Sequence, residues 1–260
     1  MNTHQRKLIV AATLCATLIV PGISSATSIL SQGTWATTLQ ARNLEGDPYG
    51  VPDAYYDTAL NITWLADASA AVGSAYDTFS PGTGEMTWSD ANAWAASLNI
   101  GGVTGWRLPT VTDTGSPGCD LSTTGGTDCG YNVDPATGEM AHMFYVTLGD
   151  KSFYDTSGNP YQPGWGLTNT GPFSRLGTYQ FYWTATASPP NLPSSDDAWS
   201  FSFNDGGQLL NSNMPSPLYA WAVKDGAAGV AVASVPLPAA AWLFSSGLLT
   251  LIGVARRKLV

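Results

Sequence analysis

"AWSFSFNDGGQLL", Ala198 to Leu210, is the stretch from which the fold is read. Trp199, Phe201 and Phe203 alternate with Ser200 and Ser202, the period of a strand with one apolar face. Asn204-Asp205-Gly206-Gly207 is a hairpin turn, and "QLL" starts the return. Upstream, "FYWTATASP" from Phe181 reads as a strand. Downstream, "LYAWAVKDG" alternates again through Tyr219, Trp221 and Val223. Together these pieces predict an antiparallel meander with one buried face.

Farther upstream the pattern is mixed. In "YYDTALNITWLADA" (Tyr55 to Ala68), Ile62, Trp64 and Leu65 surround Thr63 and predict a strand after a turn. "TWSDANAWAASLNIGG" predicts a helix: Thr87 caps it with Asp90 three residues on, Ala91, Trp94, Ala95 and Leu98 share a face, and Gly101-Gly102 stop it. "GEMAHMFYVTLGD" predicts a second helix, stopped at Gly149.

Three polar groups in these segments have two readings each. Arg107 in "GWRLPT" is either an anion clamp or an arginine paired with one of many acids, its stem packed on Trp106; an isolated charge in an apolar segment favours the second. Glu139 and His142, three apart on one helical face, suit metal binding or acid–base work, or a local hydrogen bond. With no second histidine beside them, the local bond is favoured.

Both ends of the 260-residue chain carry export patterns. His4, Arg6 and Lys7 precede an apolar run from Leu8 to Val20, then Pro21-Gly22 and Ser24-Ser25-Ala26. This is the layout of a signal peptide cut after Ala26, which implies the Sec machinery and signal peptidase as partners. At the other end, Val235-Pro236-Leu237-Pro238 precede an uncharged apolar run from Ala239 to Ala255, about 25 Å long as a helix, and then Arg256, Arg257 and Lys258. The expectation is one C-terminal transmembrane helix with its basic tip in the cytoplasm. This tail resembles a PEP-CTERM sorting signal in its VPLP variant, with Leu237 where the commonest form has an acid. The resemblance implies an exosortase as a partner. The location it implies is the outer face of the bacterial inner membrane, and after tail processing the cell surface or the matrix.

Composition limits what the body between these ends can do. The chain's net charge is −9, yet all 19 acids and only five of the ten basic residues lie in the body. Such a surface repels nucleic acid and anionic lipid. Cys119 and Cys129 are the body's two cysteines, and in an oxidising compartment they predict one disulfide worth about 2–3 kcal/mol. Around them, Asp113, Asp120, Asp128 and Asp134 sit in a loop that either ligates Ca²⁺ or is merely solvated. Without the alternation of an EF-hand loop, the solvated reading is favoured. From Gly149 to Thr178 the chain is irregular, with Tyr161, Trp165, Phe173 and Tyr179 spaced along it. Those rings either hold sugars on their flat faces or pin the loop to the core.

The ordered set "NITWLADA", "MTWSDANAWAASL", "GWRLPT", "GEMAHMFYVTLG", "FYWTATA", "AWSFSFNDGGQ" and "YAWAVKDG" resembles the DUF1566 family, also called the Lcl C-terminal domain family, over most of residues 50 to 226. The resemblance implies an α+β fold of the C-type-lectin-like or formylglycine-generating-enzyme-like kind, with an antiparallel sheet, two helices and long loops. The expected organisation is a signal peptide (1–26), one extracytoplasmic domain (27–225), a linker (226–234) and the sorting tail (235–260). The first functional expectation is an exported binding module, surface-displayed or matrix-released, that recognises polysaccharide, with exopolysaccharide a candidate partner. The second is a structural matrix or display protein with no small ligand. An enzyme comes third, because the sequence shows no nucleophile-plus-base pair, phosphate loop or metal cluster.

Overall fold

The computed structural model describes residues 33–114, 119, 121–126, 128–177, 180–188, 197–212 and 217–233. The segments expected to be a signal peptide and a sorting tail, including Val235 to Pro238, the Ala239–Ala255 run and Arg256 to Lys258, lie outside the described residues. Among those described, no helix is long and apolar enough to cross a membrane, so the expected transmembrane helix has no counterpart there.

Two antiparallel sheets make up the architecture. The first contains β1 (Leu39–Asn43), β2 (Ala54–Asp57), β3 (Ile62–Leu65), β7 (Val223–Asp225) and β8 (Val230–Ala231), in the order β7-β3-β2-β1-β8. The second contains β4 (Phe181–Ala187), β5 (Asp197–Ser202) and β6 (Gln208–Ser212), in chain order. Helices are few: α1 (Trp35–Thr38), α2 (Trp88–Ser97), and α3 (Glu139–His142), which runs on as a π-helix over Met143–Leu148. Thr87 caps α2 by accepting the Asp90 N–H at 3.2 Å. Gly149, at φ 72°, ends the π-helix in the left-handed conformation that a side chain disfavours.

The α+β class expected of the chain is corrected by this arrangement. The molecule is mostly sheet, and its core lies between sheet strands and loops, with α2 burying only Ala91, Trp94 and Ala95 fully. The reason is visible at Trp221. Its ring centroid stands 4.6 Å from Trp64 of β3, 4.8 Å from Phe173, and 5.9 Å from both Tyr182 of β4 and Phe203. Its Nε1–H donates to the Leu65 carbonyl at 2.9 Å. Rings from both sheets and a loop therefore fill the centre that a layer of helices would otherwise cover.

The meander expected of the C-terminal third is also corrected. β4, β5 and β6 form it as read, but the "LYAWAVKDG" segment leaves it. Tyr219 donates to the Phe181 carbonyl at 2.9 Å beside β4. Four residues later Val223 and Arg107 exchange two backbone bonds of 2.8 Å, and Trp64 of β3 pairs with Val223. One segment thus stitches the second sheet to the first. Both faces of β5 are buried as well: Ser200 and Ser202 are as inaccessible as Trp199 and Phe201.

Candidate functional site

A cluster of aromatic rings around the exposed Tyr161 forms a shelf on the described surface. It is built on the irregular stretch after the π-helix. Gln162 donates its N–H to the Phe153 carbonyl at 3.2 Å, and Gly166 to the Lys151 carbonyl at 2.8 Å, so the 151–166 segment folds back on itself. Asp155 holds the tip: its Oδ1 accepts the N–H of Ser157 at 2.9 Å and of Asn159 at 2.8 Å. Asn132 Nδ2 donates to the Tyr154 carbonyl at 2.9 Å and ties the segment to the neighbouring loop.

The β5–β6 hairpin turn props the shelf from behind. Phe153 N–H donates to the Asp205 carbonyl at 2.9 Å. Gly206 sits at φ 78°, and a Cβ there would come within 2.8 Å of the Tyr145 hydroxyl, so both turn geometry and packing require glycine. Tyr145 in turn donates to the Gly206 carbonyl at 2.5 Å and accepts the Asn132 N–H at 3.1 Å; burial pushes its hydroxyl pKa up to about 12.

On that support five rings meet. Phe153 lies edge-to-face with Tyr161 at 4.6 Å, Trp165 at 4.9 Å and Tyr154 at 4.9 Å, and Tyr154 with Tyr131 at 4.8 Å. These spacings are those of favourable aromatic pairs. Tyr161 is 72% exposed and takes φ 60°, a left-handed conformation costly for a residue with a bulky side chain. The other four are half-buried. At one end the Tyr131 hydroxyl donates to Asp205 Oδ2 at 3.4 Å. Burial and then the Asp205 charge push its pKa up to about 12, so it stays a neutral donor. Chemically, the shelf offers flat apolar faces with a carboxylate beside them.

The structure therefore brings Tyr161 and Trp165 together and separates Phe173 from them. Phe173 is buried, edge-on to Tyr55 at 5.4 Å and to Trp221, and belongs to the core. Tyr179 lies outside the described residues. Phe153, Tyr154, Tyr131 and Asp205 join the shelf without having been singled out in the sequence. The adjacent Phe153-Tyr154 pair, inside the same irregular stretch, was the available signal.

Two acids of the loop, Asp134 and Asp128, are engaged by backbone amides. Asp134 Oδ1 caps the short 3₁₀ turn Pro135–Thr137 by accepting the Ala136 N–H at 2.9 Å. The Asp128 carboxylate accepts the Thr114 N–H; burial first, and the Asp113 charge after opposing amide bonds, push its pKa up. Asp120 lies outside the described residues, and among the described ones no group of three or more acids, histidines and cysteines is placed to hold a metal. Cys119 and Cys129 are bonded, with Cα atoms 5.0 Å apart.

Arg107 is fully committed. Its five N–H donors reach both oxygens of Glu139 at 2.7 and 2.8 Å, Asp225 Oδ1 through Nε and Nη2, and the Leu108 carbonyl at 3.0 Å. Glu139 Oε2 also accepts the Thr110 N–H at 2.8 Å. His142, one turn on, places Nδ1 3.3 Å from the Thr147 hydroxyl. Glu139 and His142 thus have separate local partners and share none.

No family model matches this chain, and no curated protein or solved structure does.

Proposed function

We propose that this protein is an exported binding module that recognises polysaccharide, with sugar rings stacking on the shelf of Tyr161, Trp165 and Phe153. The observation that carries the reading is Tyr161: an exposed ring held at φ 60° against Phe153 rather than folded into the core. A backbone conformation of that cost persists where surrounding structure enforces it, and such positions cluster at ligand-binding sites. Aromatic side chains present contact area with little conformational entropy to lose, so they suit this task.

The setting rests on the terminal sequence patterns and on the resemblance to the DUF1566 family. In this reading the chain passes through the Sec route, its 235–238 motif meets an exosortase, and the body works outside the cell, displayed or released into an exopolysaccharide matrix. The disulfide between Cys119 and Cys129 fits an oxidising compartment. The strongly acidic body argues against sulfated or otherwise polyanionic sugars as ligands.

The test is retention of the full chain on the host's own exopolysaccharide and on a glycan panel, with Ca²⁺ and with chelator. Saturable binding indifferent to chelation supports the shelf. Binding lost on chelation contradicts a calcium-free stacking site. No binding by folded protein favours a display role without a small ligand.

A further inference from the structure

A cleft of about 260 Å³ opens beside α3, built from residues that take no part in the shelf. Leu60 and Pro135 supply apolar wall. Thr110, Thr112, Glu139 and His142 supply the polar lining. The volume falls below the range that holds drug-sized ligands, so its occupant is small.

The ionisable groups around the cleft are already answered within the protein. Both Glu139 oxygens are taken by Arg107, and one also by the Thr110 amide. Asp57, at the end of β2, is fully buried behind the cleft; its Oδ1 accepts the N–H of Ala59 at 2.9 Å and of Leu60 at 3.3 Å. A charged ligand would therefore find no spare counter-charge, and would be desolvated at a cost with no return.

Hydrogen-bonding capacity, by contrast, is left over. The hydroxyls of Thr110 and Thr112 are exposed and have no protein partner among the described residues. The hydrogen-bond chain behind His142 is the basis on which its tautomer is assigned. Thr147 gives its hydroxyl proton to Asp57 Oδ2 at 3.4 Å, so its oxygen is free to accept from His142 Nδ1–H at 3.3 Å. That leaves the Nε2 lone pair as the acceptor available to the cleft. Burial lowers the His142 pKa against the opposing pull of Asp57, which favours this neutral form.

We propose that this cleft is a second binding site, for a neutral, hydroxyl-bearing molecule about the size of one sugar ring, with His142 Nε2 accepting a ligand hydroxyl and Thr110 and Thr112 completing the polar contacts. The site stands apart from the shelf and does not depend on polysaccharide stacking there.

The experiment is a titration of the full chain with glucose, galactose and mannose, followed through the imidazole proton signals of His142, assigned as those absent in His142→Gln. The expected result is a saturable shift with at least one neutral sugar, about tenfold weaker in Thr112→Val and unchanged in Trp165→Ala. Glucuronate and glucosamine are expected to bind about tenfold more weakly than the neutral sugar they resemble. The proposal is overturned if no neutral sugar moves the His142 signals, if both Thr110→Val and Thr112→Val leave the shift intact, or if Trp165→Ala abolishes it. The last outcome would assign the signal to the shelf.

Discussion

Arg107 and Glu139 face each other through two parallel hydrogen bonds of 2.7 and 2.8 Å, and the same guanidinium reaches across to Asp225. Three parts of the chain that are distant in sequence are pinned by one side chain: the segment before Thr110, the start of α3, and the end of β7. The paired carboxylates, Glu139 first, drive the Arg107 pKa upward. The fork geometry is what a lysine lacks.

Arg107→Lys is therefore expected to destabilise the fold by about 2 kcal/mol, and Glu139→Gln by a similar amount, since each leaves a half-buried charge short of its partner. The midpoint of urea unfolding should fall in both variants with its slope unchanged. Unaltered midpoints would reduce the pair to a surface contact.

Trp221 carries the central packing. Trp221→Ala removes a ring that touches both sheets and should cost about 3–5 kcal/mol. Trp221→Phe keeps much of the volume but leaves the Leu65 carbonyl without its Nε1–H donor, so a loss of about 1–3 kcal/mol is expected. Thermal unfolding of the two variants should rank them in that order.

Acid lability should localise to the loop around Asp77. Its buried carboxylate accepts the N–H groups of Gly73 at 2.9 Å, Gly82 at 2.8 Å and Gly84 at 3.0 Å. The Gly73 amide first, with the other two, holds its pKa below the ordinary 3.8 against the contrary effect of burial. The folded state thus binds this proton less readily than the unfolded chain. The resulting stability is fully present above pH 3.8 and is lost as pH falls through the lowered value. Asp77→Asn should be less stable at neutral pH and show a flatter stability profile below pH 3.8, read by denaturant titrations at stepped pH.

The Cys119–Cys129 bond closes a short loop, and Cys129 packs with Val111 and Trp199 in a small cluster apart from the main core. Replacing both cysteines with alanine should cost about 2–3 kcal/mol. Reduction of the native chain should give the same loss, and an unchanged unfolding midpoint would show that the loop is held by packing alone.

Some of this was legible in the sequence and some was not, for physical reasons. Alternation located β5, but it cannot distinguish a solvated serine face from a covered one, because small side chains such as Ser200 and Ser202 fit beneath other chain segments. The run through Tyr219, Trp221 and Val223 showed a strand-like period without showing that it would change sheets; that depends on Arg107 and β3, which lie far away in sequence. The expected α+β class failed because local pattern locates helices but does not say what covers a sheet, and here aromatic rings do so. In the irregular loop, Tyr161, Trp165 and Phe173 look alike in sequence. Phe173 goes to the core because Ser174 beside it bonds back to the Ala66 carbonyl at 2.8 Å and carries the ring inward, whereas Tyr161 is followed by Gln162, whose N–H turns back to Phe153 of the same segment.

The central claim, that the shelf binds sugar rings, is tested most directly by calorimetric titration of the full chain and of Trp165→Ala with the same purified exopolysaccharide. Trp165 is half-buried against Phe153, so its truncation should lower the unfolding midpoint modestly, and both proteins are titrated well below it. The account predicts saturable binding by the parent and a loss of about tenfold in affinity on removal of the ring. Equal affinities for the two folded proteins would contradict it.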